Sequence, residues 1–247
     1  MTPHLQNTTL AHGAKVNLTS SEDSSPLYQT MSLGKRTAPH LTELLLARGA
    51  DVNFKSGIGG QTALHEAAMN GLTDCVKQLL AHGADIKARD WEGETPLCHA
   101  SYEVMELLLS HGADINSKNK LGQTMLHQAV SSPKSRGAEF LLAHGAEFNA
   151  KDNDGNTPLH IEASYGYTEV ARLLITNHAE INITNNRGET PLHIAALANS
   201  KGIAELLLAH KADINIKDNQ GRTPLDSAMV NNNRALAGFL REHGGRE

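Results

Sequence analysis

The chain has 247 residues, 39% of them hydrophobic and 4% aromatic, with 22 basic and 27 acidic side chains and a formal net charge of −5. The charges are mixed along the chain rather than gathered into a basic face, which excludes a nucleic-acid footprint, and no apolar stretch reaches the ~18 residues that suggest a membrane-spanning helix. Cys75 and Cys98 form no CxxC pair and do not make a disulfide scaffold; with no basic-then-apolar start in Met1 to Leu10, a cytoplasmic, reduced setting is expected.

Six near-identical phrases organise the chain: Thr62-Ala63-Leu64-His65, Thr95-Pro96-Leu97-Cys98, Thr124-Met125-Leu126-His127, Thr157-Pro158-Leu159-His160, Thr190-Pro191-Leu192-His193 and Thr223-Pro224-Leu225-Asp226. The steps are 95−62=33, 124−95=29, 157−124=33, 190−157=33 and 223−190=33. A fixed period in this range predicts a stacked array of like units, and it places function on a long surface rather than in a closed pocket. Each unit buries a thin core of Leu and Ala against its neighbours, so few large rings are needed.

Taken in order, residues 1–19 read as an incomplete half-unit. Pro3-His4-Leu5 through Ala14 align with Pro39-His40-Leu41 through Ala50, so the chain opens inside a second helix. Thr8 and Thr9 stand where Leu44 and Leu45 stand one unit later, as suits a polar end or a truncated or decayed start. Residues 20–56 form an expanded unit, with Ser25-Pro26-Leu27-Tyr28 in place of the usual phrase and 62−25=37 residues to Thr62. The extra residues fall in a basic loop at Lys35-Arg36-Thr37-Ala38, a tolerated insertion. Residues 57–89 are regular.

Residues 90–118 are four short, with the loss at the turn between helices. Two helices joined almost directly through Ser101-Tyr102-Glu103 are expected, with a break in stacking or local stability. Regular units follow at 119–151, 152–184 and 185–217. The last unit, 218–247, carries Asp226 where the others carry His, ends in Arg241-Glu242-His243-Gly244-Gly245-Arg246-Glu247, and reads as a C-terminal cap. All eight segments are expected to form one array.

Residues 152–184 show the physics of one unit. Asp152-Asn153-Asp154-Gly155-Asn156 is turn chemistry, because Asx side chains bond their own backbone and Gly accepts positive φ. Thr157 can cap a helix whose first turn takes Pro158. That helix runs through Leu159 and Ala163 and closes at Tyr165-Gly166, with Gly as a left-handed terminator. A second helix carries Val170, Leu173 and Leu174 on one face. Elsewhere second helices end in Leu-rich runs such as Leu44-Leu45-Leu46 and Leu206-Leu207-Leu208, followed by turns such as Gly49-Ala50-Asp51 and Gly83-Ala84-Asp85.

These phrases resemble the ankyrin-repeat family over almost the whole chain. The family pattern runs Asp-x-x-Gly-x-Thr-Pro-Leu-His-x-Ala, then Leu-Leu-x-x-Gly-Ala-Asp-x-Asn. The resemblance implies an all-α solenoid of stacked helix-turn-helix units with projecting β-hairpin-like loops. It also implies a concave protein-binding surface built from the loop tips and the first-helix face.

Fourteen histidines invite a metal reading, but they fall in columns. His65, His127, His160 and His193 share the first-helix column, where the resemblance implies a bond across the turn that ties adjacent loops. His12, His82, His111, His144, His210 and His243 sit at second-helix ends, where a cation suits the dipole. Neighbouring helices lie ~8–10 Å apart, too far for columns to share an ion held at ~2 Å. No metal, cofactor or catalytic residue is therefore expected, and no catalytic motif is present. Cys75 and Cys98 read as small buried hydrophobes.

Glu162 breaks a column held elsewhere by Ala67, Ala100, Ala129, Ala195 and Ala228. The resemblance places that column at a helix–helix seam, where a carboxylate is costly unless paired. One reading is a site acid with a raised pKa; the plainer one is an edge carboxylate that reaches solvent or pairs with a local His or Lys. His178 and Lys211 replace a terminating Gly, at a cost on the order of 1 kcal/mol each.

By resemblance, the partner-facing residues are the tips and first-helix ends. Trp91, Tyr102, Tyr165 and Arg187 are the expected anchors, since Trp, Tyr and Arg dominate binding hot spots. Glu92, Glu94, Leu121, Asn153, Asp154 and Met69 are expected beside them, and Ile58 stands on another tip. A second function class is modification: Asn53, Asn116, Asn149, Asn182 and Asn215 end turns similar to those that undergo asparaginyl hydroxylation, although an Asn there also bonds turn backbone. A third is that the chain forms the targeting part of a larger effector or enzyme. The reading adopted is a monomeric, non-enzymatic module that binds another protein.

Overall fold

A computed structural model describes residues 16–20, 23–57 and 59–247. Residues 1–15 of the half-unit expected at 1–19, including Thr8, Thr9 and His12, lie outside the described residues, as does the tip residue Ile58. The described regular structure is helical, with no strand among those residues. The chain divides into two compact units, Met1–Lys120 and Leu121–Glu247.

In the first unit, α1 (Pro26–Thr30), extended by a 3₁₀ turn at Met31–Leu33, pairs with α2 (Ala38–Leu46), and α3 (Ala63–Met69) pairs with α4 (Thr73–Ala81). The α5 helix (Tyr102–Ser110) packs on α4, as α2 does. Leu27, Met31, Leu41, Leu64, Leu79, Val104 and Leu108 fill the seams.

In the second unit the pairs are α6 (Met125–Ala129) with α7 (Arg136–Ala143), α8 (Pro158–Tyr165) with α9 (Thr168–Thr176), α10 (Pro191–Leu197) with α11 (Lys201–Ala209), and α12 (Pro224–Val230) with α13 (Arg234–Glu242). The first helices α6, α8, α10 and α12 lie in one row, each packed on the next. Leu126, Leu159, Leu192 and Leu225, one period apart, are all buried. Helices of five to nine residues are too short to persist alone in water, so stacking holds them.

Each regular first helix opens on a reciprocal cap. Thr157 is extended at φ −92, and its N–H donates to Nδ1 of His160 at 3.1 Å. The same 3.1–3.2 Å bond recurs at Thr62–His65, Thr124–His127 and Thr190–His193. In the last repeat Asp226 does this work, accepting the Thr223 N–H at 2.8 Å.

The shortened repeat corrects the sequence expectation. Two adjoining helices do not form: Pro96–His99 makes only turns, closed by Cys98 N–H to Thr95 O at 2.9 Å and Ala100 N–H to Leu97 O at 3.2 Å. Four missing residues remove a turn of helix, so the chain must enter α5 directly after Ser101. Elsewhere the left-handed terminators appear as expected, at Gly166 with φ 82 and, without glycine, at His178 with φ 68 and Lys211 with φ 67.

Candidate functional site: loop tips and first-helix ends

Four of the tips are turns organised by one Asx side chain. Oδ1 of Asp90 accepts the N–H groups of Glu92 and Glu94, both at 2.9 Å. Asp152, Asn185 and Asp218 do the same for their own tips. Successive tips are then joined by backbone bonds: Trp91 N–H to Gly59 O at 2.8 Å and Lys120 N–H to Glu92 O at 2.9 Å in the first unit, with Asn153, Asn186 and Asn219 bonded alike in the second.

The capping histidines complete the tie. With Nδ1 accepting from threonine, the bonds assign the proton to Nε2. Nε2 of His160 donates to Glu189 O at 3.0 Å, and those of His65, His127 and His193 reach Glu94 O, Asn156 O and Arg222 O at 3.0–3.2 Å. Burial pushes His160 down to about 4 and lowers His65 and His193. These rings are neutral structural connectors. At the second-helix ends Nδ1 of His82, His111, His144, His210 and His243 bonds the carbonyl four residues back at 2.8–2.9 Å.

The expected partner-facing residues divide. Trp91 is 55% exposed and Tyr165 is 52% exposed, and Met69, Tyr102 and Leu121 are also exposed. Glu92, Asn153, Asp154 and Arg187 are exposed as well. Arg187 donates through Nε to Glu189 Oε2 at 2.8 Å, leaving most of the guanidinium in solvent. Glu94 must be corrected: it is only 8% exposed. It faces inward, paired with His99, and Asn119 Nδ2 reaches its Oε1 at 3.4 Å. Of the residues just before a capping Thr, Glu94 and Glu189 are buried, while Gln61, Gln123, Asn156 and Arg222 are half-buried.

The sequence reading missed a ladder at the tips. Asn186 Nδ2 donates to Asn153 O at 2.9 Å and Asn219 Nδ2 to Asn186 O at 3.0 Å. Each ladder Asn lies on the glycine of the preceding tip, so that a Cβ at Gly122, Gly155 or Gly188 would stand 2.7 Å from the backbone nitrogen of Asn153, Asn186 or Asn219. In the first unit Trp91 occupies this column and lays its indole on Gly60. The signal available in the sequence was a Gly followed 31 residues later by Asn.

Glu162 also departs from expectation. It neither reaches solvent nor pairs with His or Lys: it is 0% exposed, and neither carboxyl oxygen has a hydrogen-bond partner. Burial pushes its pKa up to about 8, opposed by the Tyr167 backbone, which stays short of hydrogen-bond geometry. The turn asparagines bond the backbone of the following turn. Oδ1 of Asn53, Asn149, Asn182 and Asn215 accepts the N–H of Asp85, Glu180, Asp213 and Arg246 at 2.8–2.9 Å. Asn116 takes its own N–H to Asp114 Oδ1 at 2.9 Å.

Among the described residues, one group could hold a metal ion: Asp90, Glu94 and His99 each bring a ligand atom within 4.8 Å of the others. His99 belongs to neither histidine column. Buried salt links occur elsewhere, as where Arg222 meets Asp218 at 2.7 Å. Burial alone would raise Asp218, but bonds from Arg222 and Gln220 overcome it and hold the carboxyl low.

The family model described as Ankyrin repeats (3 copies) matches residues 27–119, 102–185 and 163–246. Human and mouse protein phosphatase 1 regulatory subunit 27 are each 55% identical to this chain over 38 residues, 15% of this chain and 25% of theirs. The match therefore spans a quarter of those relatives, little more than one repeat. The matched span, the period and the capped helix pairs agree: the chain belongs to the ankyrin-repeat family.

Proposed function

We propose that this chain is a non-enzymatic module that binds a protein partner across its loop tips and first-helix ends. One observation carries the reading. Of the nine exposed large hydrophobic residues described, eight (Leu33, Met69, Trp91, Tyr102, Leu121, Tyr165, Met229 and Val230) stand on a tip or at the end of a first helix, or where that helix is lost. Only Leu18 stands elsewhere. Apolar side chains kept out of the core and concentrated on one structural feature mark an interaction surface. The relatives' name ties those proteins to a phosphatase, but a likeness of one repeat supports the fold and not that partner.

The chemistry of the reactive groups agrees with a binding role. Burial raises both Cys75 and Cys98 thiols, which opposes thiolate formation. The neutral histidines are committed to caps and carbonyls. No helix among the described residues is long and apolar enough to cross a membrane. Capture of partners from a cell lysate, compared between the wild-type chain and a Trp91→Ala, Tyr102→Ala variant, tests the reading. A partner held by the wild type and lost by the variant supports it. Identical partner sets at identical yield would contradict it.

A further inference from the structure

We propose that Asp90, Glu94 and His99 form a divalent-cation site of the zinc type at the shortened repeat. One oxygen from each carboxylate and one imidazole nitrogen lie within 4.8 Å of one another. Zinc takes such N and O donors at ~2.0–2.2 Å in a near-tetrahedral set, so ligand atoms need mutual separations of ~3.5 Å. The Glu94 oxygen and the His99 nitrogen already touch and must part to admit an ion, and the half-exposed His99 side chain has the room to turn.

The two carboxylates are held as metal ligands usually are, each by hydrogen bonds to one of its oxygens. Oδ1 of Asp90 is fixed by the N–H groups of Glu92 and Glu94 at 2.9 Å. Oε1 of Glu94 takes the Asn119 amide at 3.4 Å, while Oε2 faces Nε2 of His99. Glu94 is almost entirely buried, whereas the His99 side chain is 43% exposed, which gives an ion a route in.

The site exists because this repeat departs from the others. Cys98 holds the capping column, so His99 has no helix to cap. The lost first helix leaves Pro96–His99 as turns, and His99 lies against Glu94. Glu189, three repeats on in the same column, shows the alternative: there Arg187 and Arg222 approach the buried carboxylate. Beside Glu94 stand the His99 imidazole, the Asn119 amide and a second carboxylate, Asp90. Arg89 instead donates to the carbonyls of Gly93 and Lys118, both at 2.5 Å. Three protein ligands leave a coordination position for water or for a donor from a partner.

Titration of the metal-stripped full chain with Zn²⁺ tests the proposal, with Co²⁺ absorption as a second probe. The expected result is one Zn²⁺ per chain, bound about tenfold or more weakly by His99→Gln and by Asp90→Asn. The Asp90→Asn side chain still accepts the two tip N–H bonds, so its loss of binding would not reflect a collapsed turn. Zn²⁺ should also raise the Tm of the wild type more than that of either variant. Unchanged affinity and stoichiometry in His99→Gln would assign the binding to other exposed histidines and overturn the proposal. Absence of binding at millimolar Zn²⁺ would overturn it equally.

Discussion

Nε2 of His160 lies 3.0 Å from the backbone oxygen of Glu189, one repeat away, while Nδ1 of the same ring accepts the N–H of Thr157 at 3.1 Å. One neutral side chain therefore caps its own helix and fastens the next tip. Replacing it with Ala removes a cap and leaves buried polar groups unpaired, each worth ~1–2 kcal/mol. His160→Ala is expected to lower unfolding stability by about 2 kcal/mol in urea titration, and an unchanged midpoint would refute the role.

The same ring makes the stack acid-sensitive. Its folded pKa of about 4 lies below the ordinary 6.5, so between these values the unfolded chain binds a proton that the folded chain does not. Stability is therefore complete above pH 6.5 and falls as pH drops toward 4, by up to about 3 kcal/mol at 1.36 kcal/mol per unit. His65 and His193 act in the same direction. The acid loss should shrink in His160→Gln relative to its own stability at pH 7.

Glu162 has the opposite sign. Its folded pKa of about 8 exceeds the ordinary 4.5, so the folded chain holds the proton longer and loses stability as pH rises from 4.5 through 8. Glu162→Ala removes an unpaired buried carboxyl at the price of a small cavity. It is expected to stabilise by about 2 kcal/mol at pH 7.5 and to flatten the alkaline side of the stability profile. A lower Tm in the variant would show that the carboxyl has a partner.

Gly60 has φ 68, and a Cβ there would overlap the Trp91 indole, with Nε1 only 2.5 Å away. Gly60→Ala should cost on the order of 1 kcal/mol in backbone strain and push the ring outward. Trp91 is the sole tryptophan, so its fluorescence reports the shift directly. The variant's emission should move to the red, and an unaltered spectrum would show that the ring does not rest on this glycine.

The shortened repeat should exchange amide hydrogens faster than its neighbour. Residues 95–101 have turn bonds in place of a helix, whereas residues 63–69 form α3. Uniform protection across residues 57–150 would contradict a local weak point.

The fold was legible because each repeat restates it: the Thr-x-Leu-His phrase marks a cap, the Leu run marks a buried face, and the glycine marks a terminator. Glu94 was misplaced because a column that holds Gln61, Gln123 and Asn156 at other tips looks like a surface column, and its burial depends on the tip beside it. The first helix of residues 90–118 was expected because Thr95-Pro96-Leu97 still signals one, while the four-residue loss acts further along. Glu162 stood out as an anomaly, but only packing shows that nothing reaches its carboxyl. The Asn ladder is a relation between repeats, invisible inside any single one.

The central claim is that exposed aromatic side chains at the tips and first-helix ends bind a protein partner. The most direct measurement is the affinity of a captured partner for the wild-type chain, for Trp91→Ala and for Tyr102→Ala, each with unchanged circular dichroism. Truncating a hot-spot side chain costs 2 kcal/mol or more, so a Kd weakened at least tenfold is expected for Trp91→Ala. A Kd equal to that of the wild type in both variants would contradict the account.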